Sequence, residues 1–230
     1  MRRPRTTVLL PVYNEVRALP RLLPAMARVT RGCEVIAIDD GSTDGSDRVL
    51  ARWARAAPGR RILTHARNRG KGTAIRTGLA AARGSRVAFQ DADLETDPRD
   101  LPRLLAALDG AEAVFGTRFP PDRFSRAPWL TRFANALVTG LFNRLFGTTL
   151  SDLGCAYKAA PTALLRSLRL TATGFELEAQ LGARLARRGA RLAELAVRYA
   201  PRTYAEGKKI HPRDAWRILL TLCRERLRRA

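Results

Sequence analysis

Four times within the first 108 residues a short β-rich run hands over to a helical pattern, and no other feature constrains the fold as strongly. Residues 6–10, ended by Pro11, precede a helical pattern opened by Tyr13-Asn14-Glu15 and carried on by Leu19, Leu22 and Leu23. Residues 34–38 read as a buried parallel strand before a helix over 47–57, and residues 61–64 precede a helix over 72–82. Residues 85–88 form the fourth strand, after which Asp97 and Pro98 start a helix that reaches Leu108. This repetition predicts a doubly wound, mostly parallel α/β domain whose ligands bind at the carboxyl ends of its strands. Residues 111–116 add a strand that delivers Thr117 and Arg118.

The fourth strand runs into Asp91-Ala92-Asp93-Leu94-Glu95. If the strand's period of two continues, all three carboxylates point to one side. Acids gathered in this way repel one another unless a cation joins them. A hard divalent ion, Mg²⁺ or Mn²⁺, suits oxygen ligands and keeps positions for diphosphate oxygens. The bland alternative is a solvated acidic turn leading into the helix that Asp97 caps.

The chain has 230 residues, long enough for one sizeable core. Its 42 basic and 21 acidic residues give a net charge of +21, which points to a polyanionic environment or, equally, to a compositional excess of Arg. Cys33, Cys155 and Cys223 lie far apart and form no metal or disulfide pattern. The apolar run from Val8 to Val12 is too short for a signal peptide, and no stretch approaches the roughly 20 apolar residues that span a bilayer. The expectation is a cytoplasmic protein with membrane contact only at the surface.

From Trp129 to Phe146 apolar residues recur every three or four positions between Arg132, Asn135, Asn143 and Arg144. This helix either packs on the sheet or lies among lipid headgroups. Residues 151–158 read as a turn and short strand, 175–188 as a helix and 191–199 as a closing strand. A polar loop over 202–210 leads to a helix over 212–229 with Trp216, Leu219, Leu220 and Leu227 at apolar positions and basic last turns. One domain is expected, with an α/β half over 1–118 and an α-rich half over 119–230. Lys71 between two glycines lacks the P-loop spacing, His65 and His211 lack ligand spacing and read as ordinary loop or core residues, and no Ser has a His partner.

Taken together, residues 11–15, 39–45, 68–72 and 91–93 resemble the family 2 glycosyltransferases of the GT-A fold, in order and interval over nearly the whole chain. Residues 116–118, 152–158, 174–178 and 202–210 resemble the branch that makes polyprenyl-phosphate sugars, of the dolichyl-phosphate mannose synthase kind. The resemblance implies that Pro11, Tyr13, Glu15, Ile38 and Asp40 form the base-and-ribose pocket. It implies that Asp91, Ala92 and Asp93 carry the metal and diphosphate motif, and that Arg118, Arg202 and Lys208 grip phosphates. Where the branch usually has Gln, this chain has Glu95, which can still offer an oxygen to the metal but with a charge attached.

The implied function is an inverting, metal-dependent transfer of a hexose to a polyprenyl (dolichyl or undecaprenyl) phosphate. The donor would be a nucleoside-diphosphate sugar of the GDP-mannose or UDP-glucose type. The enzyme would sit at the cytoplasmic face of an anionic membrane, alone or with a separate anchoring protein, and would bind no nucleic acid. Catalysis would rest on Asp93, Arg118 and Asp152. A phosphate acceptor is already largely dianionic at neutral pH and needs little help from a base, which makes Asp152 a positioning residue. A hydroxyl acceptor, the second reading within the family, would make Asp152 the base. A third reading, a basic nucleic-acid-binding protein, has the acidic cluster against it.

Overall fold

Along the first strand, β1 (Thr6–Val12), successive side chains part to opposite sides. Val8, Leu10 and Val12 enter one core with Leu22, Met26, Leu50 and Trp53, and Leu9 enters another with Ile36, Ile75 and Phe89. A sheet buried on both faces needs helices on both, which the crossover connections supply. The structure is a computed structural model that describes residues 5–120, 127–203, 207, 209 and 212–228.

In chain order the elements are β1, α1 (Leu19–Val29), β2 (Glu34–Asp39), α2 (Ser46–Arg55), β3 (Arg60–Thr64), α3 (Lys71–Ala81), β4 (Arg86–Phe89) and α4 (Leu101–Ala106). They continue with β5 (Ala113–Thr117), α5 (Trp129–Phe146), β6 (Lys158–Pro161), α6 (Thr162–Ser167), α7 (Leu177–Arg187), β7 (Leu192–Ala196) and α8 (Pro212–Leu227). The sheet order is β3-β2-β1-β4-β6-β5-β7, parallel throughout except for β6, which runs against β4 and β5. Strand order reverses between β1 and β4, so the crevice over their carboxyl ends is the place where such a sheet binds ligands.

Three local expectations are corrected. The first helix begins at Leu19, not at Tyr13. Asn14 is left-handed (φ 50°), and the N–H groups of Asn14, Glu15 and Val16 donate to Ser42 Oγ (3.0 Å), Ser46 Oγ (2.9 Å) and Asp44 Oδ2 (2.9 Å). These side-chain acceptors replace the bonds a helix would make. Strand β1 runs on through Pro11, tolerated because β4 pairs only with Thr6–Leu9 and asks nothing of Pro11 on that side. Strand β4 stops at Phe89, and the acidic residues occupy a turn in which Leu94 is left-handed (φ 63°), so the period of two does not order them.

Helix α5 packs on the core along one side and is exposed along the other. Phe142 is buried, and Val138, Leu141, Leu145 and Phe146 pack on the core. Trp129, Leu130, Phe133 and Leu137 are between 56% and 75% exposed, a contiguous apolar face with no acidic residue in the helix. Among the described residues no helix is long and apolar enough to cross a membrane.

Candidate active site

Asp40, directly after β2, shapes the loop that follows β3. Its Oδ1 accepts from the Arg69 N–H (3.0 Å) and lies 2.6 Å from His65 Nδ1, while Oδ2 accepts from the Gly70 N–H (2.8 Å). His65 is buried and its other ring nitrogen meets Thr77 Oγ1 at 3.0 Å, the satisfied core role expected of it. Gly70 has φ +91°, and a Cβ there would stand 2.4 Å from the Thr173 carbonyl oxygen, so only glycine turns the chain into α3 at this point. Asp40, expected to meet the nucleotide, is buried here with both carboxylate oxygens engaged, and it holds the approach to Lys71. Pro11 is half-buried at the crevice floor and Ala92 is buried. Ile38 is wholly buried against α3, its Cδ1 2.8 Å from where a Cβ on Gly78 would stand, and it acts from within the core.

Across the crevice the acidic turn is met by protein cations. Lys71 Nζ donates to Asp91 Oδ2 (2.8 Å), and Arg202 Nη2 stands 3.6 Å from Asp93 Oδ2. Asp93 Oδ1 accepts from the Glu95 N–H (3.0 Å). Burial, and then the neighbouring charges of Asp91 and Glu95, push Asp93 up to about 7. Glu95 is spent on the strap from the last strand: its carbonyl accepts from the Ala200 N–H (2.9 Å) and its Oε1 from the Arg202 N–H (3.0 Å).

These donors fit a divalent cation in one form only. Among the described residues no three His, Cys, Asp or Glu side chains gather into a ready-made cage. Two hard carboxylates, Asp91 and Asp93, side by side in one turn with protein cations against them, match an ion held by one or two carboxylates and completed by substrate phosphates.

The C-terminal segment returns to the first loop. Arg202 forks onto Glu15, Nη1 to Oε2 and Nη2 to Oε1, each at 3.0 Å. Lys209 Nζ donates to Glu15 Oε1 (2.5 Å) and to the Tyr13 carbonyl, and lies 5.6 Å from the centre of the Tyr13 ring. Glu15 and Tyr13, expected to meet nucleobase and ribose, thus also seat the tail. Lys208 and His211 lie outside the described residues.

Arg118 follows β5 and faces Asp152. Its N–H and Nε donate to Asp152 Oδ2 (3.0 and 2.7 Å) and its Nη2 to Oδ1 (2.8 Å). Burial opposes the guanidinium's charge, but Asp152 overcomes it and holds the Arg118 pKa above its ordinary value. Asp152 is wholly buried, and its own N–H donates to Glu194 Oε1 (3.1 Å). The outer face of Arg118 lies 5.4 Å from the Tyr199 ring centre, and Tyr199 bridges to Thr96 beside the acidic turn. Asn135 of α5 donates to the Ser151 carbonyl (3.1 Å), so the exposed face of α5 begins within a helical turn of this pair.

Lys209, Lys158 and Glu178 fall inside sequence motifs that give them no role of their own, and Glu194 and Tyr199 stand in a strand pattern that singles out neither. The glycines around Lys71 are the signal for its placement. They permit the tight turn, which a P-loop search does not look for.

The sheet order and the crevice over β1, β2 and β4 define the GT-A class of fold. Residues 7–166 match the family described as Glycosyl transferase family 2. The chain belongs to that family. An undecaprenyl-phosphate 4-deoxy-4-formamido-L-arabinose transferase of Edwardsiella ictaluri (strain 93-146) is 33% identical over 211 residues, covering 88% of this chain and 62% of the relative. A protein of the same name from Proteus mirabilis (strain HI4320) is 30% identical over 215 residues, covering 89% and 62%. The chain thus spans 62% of the length of these curated relatives. Glucosyl-3-phosphoglycerate synthase from Mycobacterium tuberculosis, in complex with Mn²⁺, uridine diphosphate and phosphoglyceric acid, superposes with a TM-score of 0.76 at 22% identity, covering 99% of this chain and 80% of that one. Membership of the family sets the nucleic-acid reading aside.

Proposed function

We propose that the protein is an inverting glycosyltransferase that moves a sugar from a nucleoside diphosphate to a polyprenyl phosphate at a membrane surface. The observation that carries this reading is the Arg118–Asp152 clamp: the one carboxylate expected to act as a base is buried and accepts three hydrogen bonds from a single arginine. A hydroxyl acceptor would need that base free, whereas a phosphate acceptor brings its own charge. The relatives' name, which specifies undecaprenyl phosphate, supports the same acceptor class.

The chain's residues divide the work. Tyr13, Glu15 and the loop held by Asp40 bind base and ribose. Asp91 and Asp93 hold a divalent ion, Mg²⁺ or Mn²⁺, which when bound offsets charge on the departing diphosphate. Arg202 and Lys209 leave Glu15 for the phosphates and close over the donor, and Lys208, by the family resemblance, adds a further cation for the same phosphates. Arg118, oriented by Asp152, faces the acceptor phosphate, and attack from the side opposite the leaving group inverts the anomeric carbon. Preorganised cations of this kind stabilise charge as it develops and need no reorganisation during the reaction.

The acceptor's lipid chain fits the exposed face of α5. A helix with Trp and Phe outward, no acidic residue and a chain charge of +21 suits an anionic headgroup layer. A separate anchoring protein is compatible with the same face.

The donor is tested by incubating the protein with Mn²⁺, polyprenyl-phosphate vesicles and a panel of GDP- and UDP-linked hexoses and pentoses, with mass spectrometry of the organic extract. A glycosylated lipid phosphate from one donor supports the reading, and donor hydrolysis with no lipid product from any donor overturns it. The panel spans hexoses, expected from the sequence, and pentoses, suggested by the relatives' modified arabinose.

A further inference from the structure

Behind the acidic turn lies a row of buried charges that the proposed chemistry does not use. The Lys71 ammonium stands between two carboxylates, 2.8 Å from Asp91 Oδ2 and 3.2 Å from Glu178 Oε1. Glu178, in the first turn of α7, reaches Lys158 through its other oxygen at 2.6 Å. Lys158 in turn donates to the carbonyls of Leu153 and Cys155 in the loop that carries Asp152, and lies 4.9 Å from the centre of the Phe115 ring. The side chains of Lys71, Glu178 and Lys158 are 13%, 8% and 3% exposed, so water does little to screen them.

The two ends of Lys71 differ. Its contact with Asp91 is a formed hydrogen bond, whereas its contact with Glu178 is an ion pair without hydrogen-bond alignment. Among the described residues neither oxygen of Glu178 has a hydrogen-bond partner, although both are buried. A buried carboxylate with unused acceptor capacity 3.2 Å from an ammonium can take that ammonium over, and gains hydrogen bonds by doing so.

We propose that Glu178 is a positioning residue: it receives Lys71 when Asp91 turns to a divalent cation, so that the carboxylate can exchange a protein cation for a metal ion without stranding a buried charge. The proposal rests on the reading of Asp91 and Asp93 as cation ligands. Without Glu178, Lys71 has one carboxylate left and competes with the ion for it.

The test is Mn²⁺ binding to the full chain, followed by the electron paramagnetic resonance signal of free Mn²⁺, with no sugar donor present. In Glu178→Gln the dissociation constant should rise about fivefold or more, the scale expected for one uncompensated charge near the ion. In Lys71→Met it should be unchanged or lower. In the double variant Glu178→Gln should have no further effect, because the competitor is gone, and Glu178→Asp should fall between wild type and Gln. Thermal melts of each variant show that it is folded. Should Glu178→Gln not fold, Lys71→Met decides alone: Mn²⁺ binding weaker than wild type would overturn the proposal. Wild-type affinity in Glu178→Gln, or equal weakening with and without Lys71, would overturn it while leaving the metal reading intact. If the wild-type chain binds no Mn²⁺, the metal reading itself fails and this proposal with it.

Discussion

Arg118 and Asp152 hold each other across 34 residues of chain, two side-chain hydrogen bonds of 2.7 and 2.8 Å being joined by a third from the Arg118 N–H. The pair acts as a unit, so its losses should not add. Asp152→Asn and Arg118→Ala should each lower kcat for a lipid-phosphate acceptor by about 10²-fold or more, the usual scale for one preorganised electrostatic contact. The double variant should fall little further. Asp152→Asn should leave the shape of the pH–rate profile unchanged, and disappearance of an acidic limb in that variant would mean that Asp152 takes a proton.

Chelation tests the acidic turn. EDTA should abolish transfer, Mn²⁺ or Mg²⁺ should restore it, and Asp93→Ala should lose both donor hydrolysis and transfer while melting as a folded protein. Glu95→Gln keeps an oxygen for the Arg202 N–H and should retain most activity. Full activity of Asp93→Ala in EDTA would remove the metal from the mechanism.

The exposed half of α5 predicts reversible, salt-sensitive membrane binding. Phe133 and Leu137 are 56% and 58% exposed, so Phe133→Ser with Leu137→Ser should not disturb the core. The pair should reduce co-sedimentation with anionic liposomes about tenfold, from the apolar area it withholds from lipid. Neutral liposomes should bind the wild type less than anionic ones. Equal sedimentation of variant and wild type would assign this face to something other than lipid.

Acid stability has an identifiable contributor in Glu34. Burial works against its charge, yet Thr7 Oγ1 (2.7 Å), the Arg83 N–H (2.8 Å) and Arg61 (2.7 Å) hold its pKa below the ordinary value. A carboxylate lowered in the folded state stabilises fully above its unfolded pKa of about 4.3, and that contribution is lost as pH falls through the lower folded value. Glu34→Gln should therefore cost about 1–3 kcal/mol at pH 7, the scale for a buried charged hydrogen-bond group. Denaturant melts should show the gap from wild type closing between pH 5 and pH 3. A gap of the same size at pH 7 and pH 3 would contradict this.

Much of this fold is legible in the sequence because burial on both faces of a parallel sheet writes itself as apolar runs, as in residues 34–38, and because turns at strand ends use Gly and Asp. The bounds of α5, from Trp129 to Phe146, are visible in its spacing, but which half faces solvent depends on where α7 and α8 lie. The false start of the first helix at Tyr13 has a similar cause, since the hydrogen bonds that unwind residues 14–16 come from Ser42, Asp44 and Ser46, about 28 to 31 residues away. At the site, Asp91, Asp93 and Arg118 stand out as residue types at strand ends. Lys71 between Asp91 and Glu178 does not, because its contact with Glu178 joins positions 107 residues apart that no local pattern links.

The acceptor decides most directly between the readings. With Mn²⁺ and the donor that the panel selects, undecaprenyl phosphate and undecaprenol are offered in parallel vesicles of the same composition, and the lipid product is measured by mass spectrometry. A buried, arginine-bound Asp152 predicts a glycosyl-phospholipid from the phosphate and no product from the alcohol, at every pH from 6 to 9. Transfer to the alcohol at a comparable rate would show that a base is available, and would contradict the assignment of Asp152 as the residue that positions Arg118.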